Sequence, residues 1–446
     1  MPQRMLIEGS ALTLSQGTGI ATYARNLNEA VRAAGYSTSV LVNVRTPLDR
    51  RDPTLNEISF FDAIPTRSST FAQQLPLTQR LRGIGRRLIG SPFGIKATEL
   101  RRSGLVVDFA PPVVTGFDHM YGALHLMEAA HNHFVRYGRR AKLRMTENIS
   151  LFHATRPIAL SLAGCPNIYT VHDIIPLRLP FTTLTGKRYF LQLMRHLCKT
   201  ADHIVTVSEH SRRDIMQFFG VSEDRVTNTY QAINIPRRFL DTSLDQVAGM
   251  IANAFELDYE EYFLFVGAIE PKKNLSRLID AYAASGTKRP LVIAGGLGWQ
   301  YESDVEKIKD ERFLRYKLAQ NVISPRRQIR HLSYVPFEQL VALIRGARAL
   351  LFPSLYEGFG LPVLEAMQLG APVMTSNVAS LPEVAGDAAV LVDPLDIGDM
   401  ARAIKTLDDD GDLRAELRTR GRERALRFSP EKYRERVSEL YRRLLG

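Results

Sequence analysis

Short apolar runs rich in β-branched residues recur along this chain of 446 residues, bounded by Gly, Pro or Asn. "RMLIEGSAL", "STSVLVNV", "ENISLFHAT", "PNIYTV" and "ADHIVTV" occupy the first half. "YFLFVGAI", "PLVIAGG", "RALLFPS", "APVMTSN" and "AAVLVDP" occupy the second. Runs of this kind describe strands buried on both faces. Between them lie segments of helical period. In "IATYARNLNEAVRAAGY" the residues Ile20, Tyr23, Ala24, Leu27 and Val31 share one face, and Gly35 stops the helix. Strand, helix and strand in repetition imply a parallel sheet with helices on its faces.

The alternation lapses twice. Residues 46–110 are rich in Arg, Ser and Pro and read as a basic insertion. Within them "LTQRLRGIGRRLIG" sets Leu77, Leu81, Ile84 and Leu88 at helical intervals among Arg80, Arg82, Arg86 and Arg87. Such a helix suits an anionic membrane surface. Gly83 and Gly85 weaken it, and an insertion packed on its domain with solvated arginines is the plainer reading. The second lapse, near 236–260, marks a domain boundary. The expectation is an α/β protein of two doubly wound domains, 1–240 and 255–425, followed by a terminal helix in 426–446. A ligand belongs in the cleft between them, at the carboxyl ends of the strands.

Composition narrows the classes. Lys and Arg exceed Asp and Glu, 58 against 47, which favours nucleic acid, anionic lipid or a phosphorylated ligand as partner. No zinc-finger spacing or aromatic RNA-binding signature is present, so no nucleic-acid partner is expected. Cys165 and Cys198 have neither metal-type spacing nor a disulfide framework. With no ~20-residue apolar run and no signal-peptide pattern at the start, a cytoplasmic location is expected.

The stretch "PSLYEGFGLPVLEAM" is the most informative. It follows the strand "ALLF", so "LYEGFG" is the loop at a strand's carboxyl end. Pro362 suits the first turn of a helix, and Gly370 closes it. Gly358 and Gly360 let the backbone turn, leaving the N–H groups of Phe359, Gly360 and Leu361 at the helix start as an anion site. Glu365, in the first turn, would repel a phosphate. It makes sense as an acceptor for neutral hydroxyls such as those of a ribose, with Glu357 doing the same for a sugar ring. A surface Glu and a helix N-terminal Glu favoured by the dipole are the ordinary alternative.

"SLYEGFGLPVLEAMQLGAPVMTSNVASLPEVAGDAAVLVDP" resembles the carboxyl-terminal signature of the retaining glycosyltransferases of family 4, which have the GT-B fold. Matching stretches cover 1–45 and 150–440; none is recognised in 46–110, and the match is less clear to about 148. The resemblance implies a terminal helix returning to the first domain, a nucleotide-sugar donor, and a saccharide or lipid-linked acceptor. It implies that Glu365 binds ribose, that Glu357 contacts the donor sugar, and that the amides of Phe359, Gly360 and Leu361 hold sugar and distal phosphate. "FVGAIEPKKNLSRLIDAY" places Lys273 at the family's phosphate lysine, and "SQGTGIATYARNL" places Gly17 and Gly19 at its amino-terminal glycine loop. "TVHDIIPL" puts His172 against the donor sugar, with Asp173 beside it to orient the ring or an acceptor hydroxyl. "TVSEHSRRDI" gives Ser208 as an acceptor-side residue or a plain N-cap, and "HLSYVPFEQL" brings Tyr334 and Val335 to the base. Many members carry an arginine where this chain has Ala268 and Ile269, so Lys272 becomes the candidate second cation.

The implied reaction is hexosyl transfer with retention and without metal or cofactor; the looks of "TVHDIIPLRLP" and "EPKKN" favour GDP-mannose. Donors carrying UDP, dTDP-rhamnose or GDP-fucose stay open. So does a sugar-nucleotide-binding subunit without turnover. A nucleotide-sugar epimerase and a glycoside phosphorylase fit less well: the glutamate pair argues against the first, the lack of a cofactor-anchoring lysine against the second. "DDDGD" at 408–412 reads as a solvated turn between helices rather than a metal site. His131 and His133, two apart on a helix, point to different sides and with His125 make no metal site.

Overall fold

A computed structural model describes residues 3–13, 19–48, 52–62, 91–106, 114, 116–319 and 322–446. The apolar runs form two sheets. The first, read edge to edge, is Val226–Asn228, His203–Thr206, Asn167–Val171, Leu151–Ala154, Arg4–Glu8, Ser37–Val44, His119–Leu124, Ile95–Glu99, Ala141–Arg144 and Leu160–Leu162. Its pairings are parallel except that of Ile95–Glu99 with His119–Leu124. The second is Ile329–Leu332, Leu291–Ala294, Phe263–Val266, Ala349–Phe352, Val373–Ser376 and Val390–Val392, all parallel. Leaving aside the hairpin Leu314–Ala319/Val322–Arg327, its strands lie in the order 3-2-1-4-5-6. The switch point of such a sheet is the crevice beyond its first and fourth strands. Here that is where the loops after Val266 and Phe352 meet.

The reading of 46–110 as an insertion is corrected at its far end. Ile95–Glu99 is a strand of the first sheet, and its short length and lack of β-branched alternation hid it. The basic segment 77–88 lies outside the described residues. The chain's last turns cross between lobes. The helix Gly411–Leu426 packs on Leu361–Leu369, where Gly421 leaves room for Met367. The helix Pro430–Leu445 then packs on Gly19–Ala33 of the first lobe. Tyr441, fully buried there, meets His153 Nδ1 at 2.7 Å, and His153 Nε2 lies 2.8 Å from Thr170 Oγ1. Burial pushes the His153 imidazole down to about 3, so it is a neutral strut. Truncating Tyr441 to Ala would cost about 3–5 kcal/mol, the range for large aromatic losses from a core.

Asp408 corrects the solvated-turn reading. Its carboxylate is buried, 2.9 Å from Arg348 Nε and 2.7 Å from Arg289 Nη1, and it accepts from Thr287 Oγ1 at 2.6 Å. It is a structural ion cluster behind the second sheet, while Asp410 caps the next helix through the N–H of Leu413.

Candidate active site

The two loops at the second lobe's switch point are tied together by backbone and by one asparagine. Asn274 takes a left-handed conformation (φ 61°), and its amide donates to the carbonyls of Pro353 at 3.1 Å and Pro394 at 2.7 Å. Leu355 N–H donates to the Lys272 carbonyl at 2.8 Å. Held this way, Lys273 Nζ sits 2.7 Å from Glu357 Oε1, with Lys272 Nζ 3.6 Å from Oε2 and 3.4 Å from Glu270. The Lys273 ammonium also lies 4.6 Å from the centre of the Phe352 ring. Burial would raise the Glu357 carboxyl, yet the two lysines hold it down at about 2. Burial works against the Lys272 ammonium, but Glu357, Asp173 and Glu270 outweigh it and hold it above the usual lysine range. Lys272 thus brings a second ammonium to the carboxylate that Lys273 holds.

Three residues on, the chain turns into the helix Leu361–Leu369. Gly360 carries φ 108°, and a Cβ there would lie 2.8 Å from Leu381, so only glycine makes this entry. No hydrogen bond among the described residues uses the N–H of Phe359, Gly360 or Leu361. Glu365, half-buried in the next turn, has no ion pair or hydrogen-bonded side-chain partner there either. Enclosure without a counter-charge pushes its carboxyl up to about 7. Two carboxylates of one loop-helix unit therefore have opposite electrostatics. One is pinned and ionised; the other is idle and poised to accept hydrogen bonds.

The first lobe supplies the facing wall from the carboxyl ends of Arg4–Glu8, Leu151–Ala154 and Asn167–Val171. His172 Nε2 donates to the Thr155 carbonyl at 2.9 Å, since a carbonyl only accepts. Burial lowers the His172 pKa, so the ring is neutral with Nδ1 left as an acceptor. Asp173 does not hold that ring: its carboxylate accepts from the Ile175 N–H at 3.0 Å and is raised by burial. Ser208 is fully buried, and its hydroxyl caps the helix Glu209–Phe219 through the N–H of Ser211 rather than facing an acceptor. Gly19 opens the helix Gly19–Ala33, 3.8 Å (from the place of a Cβ) from Leu361 across the cleft. Gly17 lies outside the described residues. Tyr334, exposed, and Val335, half-buried, follow the edge strand Ile329–Leu332, two strands from the lysine pair.

Several residues of this wall escaped sequence reasoning. Glu8 is buried, accepting from Ser10 N–H at 2.8 Å and Thr155 Oγ1 at 3.0 Å, and Arg156 lies 3.8 Å away. All follow or end a parallel strand, and that position was the available signal. Tyr356, beside Glu357, reaches the first lobe: its hydroxyl donates to Asp214 and lies 3.1 Å from His210 Nε2, and Asp214 also pairs with Arg178. The Glu383 carboxylate accepts from the N–H groups of Glu209 at 2.7 Å and His210 at 3.0 Å. At Gly358 a Cβ would fall 2.4 Å from the His172 carbonyl, so the lobes close only around glycine. Among the described residues no three of His, Cys, Asp and Glu group as metal ligands, and no helix is long and apolar enough to cross a membrane.

Comparison with known proteins agrees with this geometry. Residues 252–424 match the family described as "Glycosyl transferases group 1", and 97–237 match "Glycosyltransferase Family 4". The second match covers all of 97–148, where the sequence alone offered no clear resemblance. "O-antigen chain mannosyltransferase B" of Escherichia coli is 36% identical over 273 residues, 59% of this chain and 67% of the relative. "Serotype-specific mannosyltransferase WbdA" of Escherichia coli is 29% identical over 325 residues, 67% of this chain but 38% of the relative. Among solved structures, sucrose-phosphate synthase from Thermosynechococcus elongatus superposes with a TM-score of 0.64 at 17% identity, covering 99% of both chains. HepE of Anabaena, solved with UDP and glucose, gives 0.61 at 16% identity, covering 99% of this chain and 100% of that one. Two parallel sheets meeting at their switch points, a lysine pair on a glutamate, and these matches lead to one assignment: the chain belongs to family 4 of the glycosyltransferases, with the GT-B fold.

Proposed function

We propose that this protein transfers mannose from GDP-mannose to a saccharide or lipid-linked saccharide acceptor, with retention of configuration and without a metal. The observation that carries the reading is the unpaired set at one helix start: three free amides and an idle Glu365, flanked by the Lys272–Lys273–Glu357 cluster. Free amides and lysines suit a diphosphate, and a carboxylate without partners suits ribose hydroxyls. Similarity to O-antigen mannosyltransferases supports mannose as the sugar.

In the proposed reaction the bond between the sugar's anomeric carbon and the diphosphate oxygen breaks as an acceptor hydroxyl attacks from the same face. The hydroxyl proton goes to the departing phosphate oxygen. Negative charge grows on the diphosphate, where Lys273, Lys272 and the amides of Phe359, Gly360 and Leu361 stabilise it. Neutral His172 accepts a hydrogen bond from a sugar hydroxyl through Nδ1, and Glu357 accepts another while the lysines keep it ionised. Asp173 lies on the acceptor side, and peripheral contact with an anionic membrane would bring a lipid-linked acceptor to it.

The test is thermal shift and turnover across GDP-, UDP-, dTDP- and ADP-sugars, with Glu365→Ala alongside and EDTA in a parallel series. Stabilisation by GDP-mannose in the native chain and its loss in the variant are expected, with an α-linked product retained in EDTA. No nucleotide shifting the native chain would overturn the reading. Stabilisation without transfer to any saccharide would turn it into a binding subunit.

A further inference from the structure

The chain has one tryptophan, and its place is unusual. Trp299 follows the strand Leu291–Ala294 in the second lobe, and its Nε1–H donates across the cleft to the Thr182 carbonyl at 2.8 Å. Thr182 is fully buried and belongs to the first-lobe segment that begins with His172 and Asp173. That segment is compact: Asp173 takes the Ile175 N–H, and Thr182 N–H returns to the Leu179 carbonyl at 3.0 Å.

On the other side, Trp299 is wired to the lysine pair through glycines. Ile269 N–H donates to Gly296 at 2.9 Å, and Gly298 N–H donates back to Ile269 at 3.0 Å. A Cβ on Gly295 would lie 2.0 Å from the Gly267 carbonyl, and one on Gly298 would lie 2.8 Å from the Ile269 carbonyl. Glycine at 295 and 298 lets the loop 295–298 lie this close to 267–270. The strap they grip leads directly into Lys272 and Lys273, and the Lys273 side chain runs 3.6 Å from where a Gly267 Cβ would stand.

We propose that Trp299 is a positioning residue: its indole clasps the His172–Thr182 segment to the glycine ladder behind Lys272 and Lys273, so that closure of the lobes sets the phosphate-side cations against the sugar-side wall. Trp299 touches neither donor nor acceptor in this role. It acts through the ladder, and the inference rests on the donor reading above.

Full-length wild type, Trp299→Phe, Gly298→Ala and the double variant are compared in donor binding by thermal shift and in steady-state transfer with GDP-mannose. Trp299→Phe keeps an aromatic ring but removes the N–H. It is expected to bind donor within about twofold of wild type while kcat falls about tenfold, the size of one well-placed hydrogen bond. Gly298→Ala forces the ladder apart with Trp299 intact; it is expected to lower kcat similarly and to abolish the donor-induced change in tryptophan emission expected of wild type. Because both act on one path, the double variant falls no further than the weaker single variant. Wild-type kcat in Trp299→Phe, or kcat losses that multiply in the double variant, would overturn the clasp alone. Absence of any nucleotide shift in wild type would overturn the donor reading and the clasp with it.

Discussion

The two walls of the cleft hold their working side chains by different means. In the second lobe charge holds charge: Glu357 is positioned by Lys273 and Lys272, residues 84 and 85 positions away in sequence. In the first lobe the backbone does the holding. His172 is fixed by the Thr155 carbonyl, Asp173 by the Ile175 amide, and Ser208 by the Ser211 amide. A side chain positioned by another side chain is lost when either is changed. One positioned by main chain survives substitution of its neighbour, because every residue carries the same carbonyl. The donor wall is therefore the more fragile of the two.

Lys273→Ala strikes that wall hardest. Transfer should fall about 10²–10³-fold, as for loss of one electrostatic contact to a developing oxyanion. The same change should cost about 3 kcal/mol in urea unfolding, since Glu357 keeps its burial but loses its nearest counter-ion. Combined with Glu357→Gln, the losses should not multiply, because the two act as a unit. Multiplying losses would show that Glu357 and Lys273 act independently.

His172→Ala tests the other wall. Loss of one hydrogen bond to a sugar hydroxyl predicts a fall in kcat of roughly 10–100-fold. Thr155→Ala leaves the carbonyl in place and should leave the donor KM and kcat within about twofold, even though it removes the hydroxyl on Glu8. A Thr155→Ala loss as large as that of His172→Ala would show that the side chain, not the main chain, carries the ring.

Glu365 gives a pH signature. Its folded value, about 7, stands above the ordinary 4.5, so it is protonated at acid pH and ionised at alkaline pH. If the ionised form accepts the ribose hydroxyls, donor affinity should weaken about tenfold from pH 8 to pH 6, by linkage. Glu365→Gln should bind more weakly at pH 8 and show a flat profile. The stability sign runs the same way: the group costs nothing below about pH 4.5 and destabilises increasingly as pH rises through 7, so the glutamine variant should gain on wild type across that window. Glu357 behaves oppositely. Its value of about 2 means a contribution present above 4.5 and lost as pH falls towards 2.

Tyr356→Phe should have a smaller effect than Lys273→Ala or His172→Ala. It removes the hydroxyl that joins Asp214 and His210 of the first lobe, a loss of about 1 kcal/mol and a several-fold fall in kcat with donor binding little changed.

Much of the second lobe could be read from the chain alone. A strand, a Gly-x-Gly turn, a proline in the first helical turn and a closing glycine are local patterns, so "FPSLYEGFGLPVLEAMQLG" announced both its geometry and its free amides. The βαβ rhythm likewise pointed to two sheets, of which the second is parallel throughout and the first is parallel but for one pair. What spacing could not show was long-range pairing. That Glu357 is the buried partner of Lys273 and Lys272, and that Glu365 has no such partner among the described residues, depend on which strands lie side by side at the switch point. Ile95–Glu99 joined the first sheet although its five residues carry no clear strand pattern, and Asp408 became a buried anchor because Arg348 and Arg289 reach it from elsewhere. Most elements and their ends were legible in the chain, since these follow from periodicity and backbone freedom over a few residues. Which carboxylate is pinned, which is idle, and that Trp299 meets Thr182 across 117 positions follow from the folded chain, because burial and charge pairing are set by neighbours far away in sequence.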